Sequence, residues 1–217
     1  MIKTLEKQIT AVEKDPLIRF FYGTMRSGKT KKLINDSLDY ERHVVFILPE
    51  EDTSGVIKSR AFKFAGNDKH EFIITPDIIF GKHHPGQSNR LIDLICQDDH
   101  AINKVVIDEA QFLRPEDIYE LAEVCRSTNI KLDVYGLLTD FHGNIFEGSR
   151  EWIEQADESI CIEGHCEFPG CSKNSYYNCL MKQKKSPDSN VVVGDSQYIV
   201  LCPEHRELYK KAGVIEG

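Results

Sequence analysis

The sequence predicts an α/β protein: a mostly parallel sheet flanked by helices, followed by a small unit that a metal ion holds together. Three observations predict it. A short apolar run, Phe20-Phe21-Tyr22, feeds Gly23-Thr24-Met25-Arg26-Ser27-Gly28-Lys29-Thr30, the Gly-x4-Gly-Lys-Thr spacing of a phosphate-cradling loop set between a strand and a helix. A second apolar run, Val105-Val106-Ile107, ends in the carboxylates Asp108 and Glu109. Five of the seven cysteines crowd between Cys161 and Cys202, where the apolar content falls. The first two observations place the main unit among P-loop NTPase-type folds.

Apolar runs that read as buried strands alternate with amphipathic stretches, the pattern of parallel strands joined by crossover helices. Strands are expected at 18–22, 44–48, 72–75, 104–108 and 132–137, and helices at 29–41, 88–97, 115–127 and 149–156. Pro115 suits a first helical turn, and Glu116 and Asp117 meet the positive end of the helix dipole. Residues 50–68 and 81–87 read as loops, with His83-His84 an exposed pair before Pro85. Residues 1–16 form a polar N-terminal extension, 17–160 the ATP-binding domain, and 161–217 the metal-binding unit and tail.

Composition limits the function. At 217 residues the chain holds one α/β domain and a small addition. A formal charge of -8 disfavours the broad basic footprint of a nucleic-acid binder, while leaving a small anionic ligand in a pocket compatible. No apolar run approaches the roughly 20 residues of a membrane span, and Met1 to Lys14 has no signal-peptide core, so a cytoplasmic protein is expected.

In the phosphate loop, the glycines let backbone N–H groups converge on an anion, Lys29 reaches the outer phosphates, and the Thr30 hydroxyl is placed for magnesium. The loop residues Gly23 to Thr30, with Asp108 and Gln111, are the expected ATP site. Asp108 is the second magnesium-side candidate. Glu109, one residue on, faces the acceptor and is the natural general base. Gly136 to Phe146 follows the last strand of the sheet, where its aromatic residues either wall a planar base or fill core, with core preferred.

The late cysteines form two half-sites, Cys166-x4-Cys171 and Cys202-x2-His205, whose four ligands match a structural zinc. Cys161 and His165 are alternatives for the first half-site. Cys179 reads as a packing residue, as do Cys96 and Cys125 on apolar helical faces.

In order and spacing these blocks resemble the type II thymidine kinases, zinc-lasso deoxynucleoside kinases: Gly23 to Thr30, Asp108-Glu109-Ala110-Gln111-Phe112, Gly136 to Phe146, and Gly194-Asp195-Ser196-Gln197-Tyr198 leading into Cys202 and His205. The resemblance implies an ATP-dependent transfer to thymidine, or to deoxyuridine or a 5-modified analogue. It implies Glu109 as the base and a nucleoside pocket lined by Met25, Phe112, Leu137, Phe141, Asn178 and Tyr198, with the backbone of Val192, Val193 and Gly194 on the base edge. It also implies a homotetramer and a zinc that holds a lid. The sequence departs from the family pattern at Ser54, where an arginine is expected and which Arg60 is placed to replace. Leu180 and His142 likewise stand where the family has arginine. A nucleic-acid-dependent ATPase fragment and a non-catalytic nucleotide-binding module are the rival readings.

Overall fold

A computed structural model describes residues 15–38, 44–63, 69–84, 86–96, 102–182 and 197–216, with only the backbone at 60–63 and 69–71. Six parallel strands form the main sheet: β1 (Ile18–Tyr22), β2 (Val44–Pro49), β5 (Ile78–Phe80), β6 (Lys104–Ile107), β7 (Lys131–Gly136) and β8 (Glu158–Cys161). Their order is β5-β2-β6-β7-β1-β8. All five pairings are parallel, with Ile18 beside Leu132 and Val105 beside both Val45 and Leu132. The central strands are covered on both faces, which is why they read as unbroken apolar runs such as Val-Val-Phe-Ile-Leu.

One face packs Ile18, Phe20, Val105 and Val134 against α2 (Gln87–Cys96), α3 (Pro115–Thr128) and α4 (Glu147–Gln155), which contribute Leu91, Ile118, Leu121, Cys125 and Trp152. The other packs Phe21, Leu48, Val106 and Tyr135 under Leu33 and Ile34 of α1 (Lys29–Leu38). Beside α1 lies an antiparallel pair, β3 (Ile57–Lys63) and β4 (Lys69–Ile74). That pair corrects two expectations: 50–68 is not all loop, and the strand around 72–75 lies outside the parallel sheet. Its buried side alternates, with Ile57 and Ser59 in and Lys58 out, and the polar Ser59 masks the period. Helix α3 starts at Pro115 and stops at Asn129, whose left-handed φ of 55° ends the helical run. The first helix is described to Leu38, so the expected end at Glu41 lies outside the described residues, as does the extension through Lys14.

Beyond β8 the chain builds a small unit from β9 (Gly164–His165), β10 (Asn174–Ser175), β11 (Tyr177–Leu180), β12 (Tyr198–Leu201) and α5 (Pro203–Lys211). Strands β9 and β10 pair antiparallel, as do β11 and β12. Among the described residues its apolar core is Cys166, Cys179, Leu201, Cys202 and Ile215, with Val200 also buried. Cys179 and Cys125 are packed as expected, whereas Cys96 is exposed: α2 is peripheral and turns only Leu91 fully inward. No helix among the described residues is long and apolar enough to cross a membrane.

Under the last turn of α1 sits a buried ionic group drawn from three adjacent strands. Asp133 accepts two bonds from Arg19, at 2.7 and 2.8 Å, and pairs with Lys104 at 2.6 Å. Lys104 and Asp133 are essentially inaccessible to solvent, and Lys104 also reaches the Asp36 carbonyl of α1. Replacing Asp133 by Asn takes the carboxylate at 2.6 Å away from the buried Lys104 ammonium, and denaturant unfolding should show a loss of about 3 kcal/mol. Added salt should change that loss little, because the pair is shielded from counter-ions.

Candidate active site and metal centre

Parallel α/β sheets bind ligands at the carboxyl ends of their strands, and three loops converge there: 23–30 after β1, 108–112 after β6 and 136–146 after β7. These strands are neighbours in the order β6-β7-β1. The Thr30 hydroxyl donates to Asp108 Oδ2 at 3.0 Å, so the two magnesium-side candidates are in contact. Lys29 is buried and donates to the Thr24 carbonyl at 2.8 Å. Burial pulls its ammonium below the ordinary value, and the charges of Glu109 and Asp108 oppose that pull. Burial, and then repulsion from Glu109, pushes the Asp108 carboxyl up to about 7, against bonds from the Glu109 N–H and Thr30.

That displacement has a sign that can be tested in protein free of metal and nucleotide. The folded state holds the Asp108 proton across a window, from pH 4 to 7, in which the unfolded chain, with a carboxyl at 3.8, releases it. This group's contribution is therefore most favourable below pH 4, declines through the window and is a constant cost above about pH 7. The cost is at most about 4 kcal/mol. Thermal melts of Asp108→Asn should exceed wild type above pH 7 and converge with it at pH 4.

Glu109 occupies a left-handed conformation, φ 50° and ψ 32°, at the start of a short 3-10 turn, Ala110–Phe112. A non-glycine residue there is uncommon and is held by its surroundings. The Gln111 amide supplies the hold: its Nε2 donates to Glu109 Oε2 at 2.7 Å and its Oε1 accepts the Leu137 N–H at 2.9 Å. A Cβ on Gly136 would come within 2.8 Å of that Oε1, which explains the glycine. Behind the turn, the Trp152 indole donates to the Ala110 carbonyl. Gln111 thus orients the carboxylate of Glu109.

The nucleoside-pocket candidates fall into three groups. Phe112, 39% exposed, meets Phe146 edge-on at 6.0 Å. Phe141 lies 6.3 Å from Tyr198 and 3.9 Å from His142. Phe141 and Phe146 are half-buried and lie outside both cores of the sheet, which corrects the preference for core in the 136–146 segment. Asn178 is buried, accepts the Met25 N–H at 2.8 Å and donates to the Thr139 carbonyl at 3.2 Å, so it ties the phosphate loop to the loop after β7. Leu137, beside them, is half-buried. Val192, Val193 and Gly194 lie outside the described residues. Ser54 sits in an exposed turn, bonded to Asp52 and Val56, and the Arg60 side chain is outside the described atoms.

Cys166, Cys171, Cys202 and His205 bring their ligand atoms within 4.8 Å of one another. His205 Nδ1 is 3.5 Å from Cys166 Sγ and 3.3 Å from Cys202 Sγ. A tetrahedral zinc with ordinary Zn–S and Zn–N bonds needs S···N edges of about 3.5 Å. The donor set therefore fits zinc, and the Lys173 N–H at 3.5 Å from Cys171 Sγ adds outer-shell support. Phe168 stacks on the His205 ring at 3.8 Å and fixes its plane. Cys161 and His165, both exposed on strands, are not in the group, so the first half-site is Cys166 and Cys171. His83 and His84 are exposed and face Glu50.

Sequence reasoning named Thr24 and Arg26 for the phosphates but missed Ser175 and Glu167, their partners across the two units. The Thr24 hydroxyl bonds Ser175 at 2.8 Å, and Arg26 pairs with Glu167 at 2.7 Å. Partners some 140 to 150 positions apart leave no local spacing to read.

A protein-family model described as thymidine kinase matches residues 16–206. The thymidine kinase of Enterobacteria phage T4 is 30% identical over 202 residues, covering 89% of this chain and 97% of the phage protein. That of Zymomonas mobilis is 33% identical over 199 residues, covering 86% and 93%. A match across nearly the whole chain, including the phosphate loop, the acidic strand end and the cysteine cluster, settles the family: the chain belongs to the thymidine kinases.

Proposed function

We infer that the protein transfers the γ-phosphoryl group of ATP to the 5′-hydroxyl of thymidine, as the names of its relatives suggest. The observation that carries the reading is the meeting, at one sheet edge, of the Lys29–Thr30 loop with Asp108 and a Glu109 oriented by Gln111. Glu109 takes the proton of the 5′-hydroxyl. The sugar oxygen then bonds to the γ-phosphorus as the bridging P–O bond breaks and ADP leaves. Such transfer passes through a loose transition state, so positioning and charge neutralisation supply most of the acceleration. Lys29 and the loop N–H groups hold the phosphates. Thr30 and Asp108 would hold magnesium, which neutralises phosphate charge when bound.

Met25, Phe112, Leu137, Phe141 and Tyr198 supply the apolar walls of the nucleoside pocket in this reading, and the zinc keeps the unit carrying Tyr198 folded. A homotetramer in the cytoplasm belongs to the same proposal. Deoxyuridine or a 5-modified pyrimidine deoxynucleoside is the alternative acceptor, since the family arginine is replaced by Ser54.

An ATP-dependent phosphorylation assay across nucleosides, including 5-substituted deoxyuridines, tests this. Thymidine monophosphate should form fastest. ATP hydrolysis stimulated by DNA or RNA without nucleoside product, or ATP binding with no transfer at all, would overturn the reading.

A further inference from the structure

We propose that Arg26 is a positioning residue that latches the phosphate loop to the metal-held unit, so that ATP and nucleoside bind with positive coupling. The proposal rests on the reading that the strand carrying Tyr198 closes the nucleoside site. Arg26 stands in the phosphate loop with a φ of 57°, a conformation that side chains rarely adopt. Its Nη1 donates to both carboxylate oxygens of Glu167, at 2.9 and 2.7 Å, and its Nη2 donates to the Tyr198 carbonyl at 3.1 Å.

Glu167 is itself fixed. It follows the zinc ligand Cys166 and precedes Phe168, which stacks on His205. Its Oε2 accepts the Val200 N–H at 3.0 Å, and its own N–H donates to the Val200 carbonyl at 2.8 Å. One guanidinium thus spans the phosphate loop, the metal knuckle and strand β12. A movement of β12 over a nucleoside must shift Arg26, and an order imposed on the loop by triphosphate must favour one position of β12. Binding linked in this way is reciprocal. The two side chains are 39% and 34% exposed, so the coupling is modest, about fivefold at low ionic strength.

The test uses the full-length, zinc-loaded protein. Calorimetry gives the affinity for a non-hydrolysable ATP analogue with and without saturating thymidine, for wild type, Arg26→Gln, Glu167→Gln and the swap Arg26→Glu with Glu167→Arg. The expected result is an affinity about fivefold higher with thymidine in wild type, a ratio near one in each single variant with zinc content unchanged, and recovery in the swap. Single variants that keep the wild-type ratio overturn the latch, as does loss of zinc from both, which would make the pair part of the fold. A wild type that binds each ligand without coupling overturns the latch alone. One that binds no thymidine overturns the kinase reading with it.

Discussion

Replacing Glu109 by Gln is expected to lower the turnover number by about 10³-fold while the affinity for ATP stays within about twofold. The substitution is nearly isosteric, and a glutamine carbonyl at this position still accepts the Gln111 amide, so the 3-10 turn keeps its geometry. What disappears is the proton acceptor, and general-base removal accounts for losses of about 10² to 10⁴. The loss should fall on the chemical step, since the proposed function has the phosphates held by Lys29 and the loop, not by Glu109. Removing the Glu109 charge also relieves the repulsion that raises the Asp108 carboxyl. Single-turnover phosphorylation of thymidine separates these steps. A variant with wild-type single-turnover rate would mean that another group takes the proton.

That site was legible wherever neighbouring residues carry one message. Strand β1, the loop and α1 are consecutive in the chain, and β6 announces itself by Val-Val-Ile before Asp108-Glu109. The C-x4-C and C-x2-H half-sites were legible because zinc constrains local spacing. Elements at the margins of the sheet were not. Strand β5 has three residues, and β8 is a mostly exposed edge whose Glu158 and Ser159 break any apolar pattern. The β3–β4 pair hides its alternation because Ser59 is buried and Ile73 is 55% exposed. Helix α5 buries no residue fully, so it has no strong apolar stripe to reveal it. Phe141 and Phe146 show the opposite failure: aromatic character alone did not reveal that they lie outside both cores of the sheet. Gln111 was grouped with the ATP residues by its motif, whereas its bonds to Glu109 and Leu137 depend on how β6 and β7 lie side by side.

Removing the zinc that the proposed function places at Cys166, Cys171, Cys202 and His205 should divide the molecule in its behaviour. Of the buried apolar residues described in the small unit, Cys166 and Cys202 belong to the proposed zinc group, so without metal the remaining apolar burial is that of Cys179, Val200, Leu201 and Ile215. Structural zinc commonly contributes about 10 kcal/mol or more to a unit of this size, beyond what four buried side chains supply. The main sheet has separate cores on its two faces and needs none of this. Chelation, or Cys202→Ser, is therefore expected to abolish hydrogen-exchange protection in β11, β12 and α5 while β1, β6 and β7 stay protected. Thymidine phosphorylation should fall more than about 100-fold, because Tyr198 and Asn178 lose their places. ATP binding with thymidine present should weaken far less, by about the fivefold that the Arg26–Glu167 latch can transmit. Metal analysis alongside exchange would decide the matter: a zinc-free protein with intact protection in β11, β12 and α5 would show that the cysteines hold the unit by packing alone.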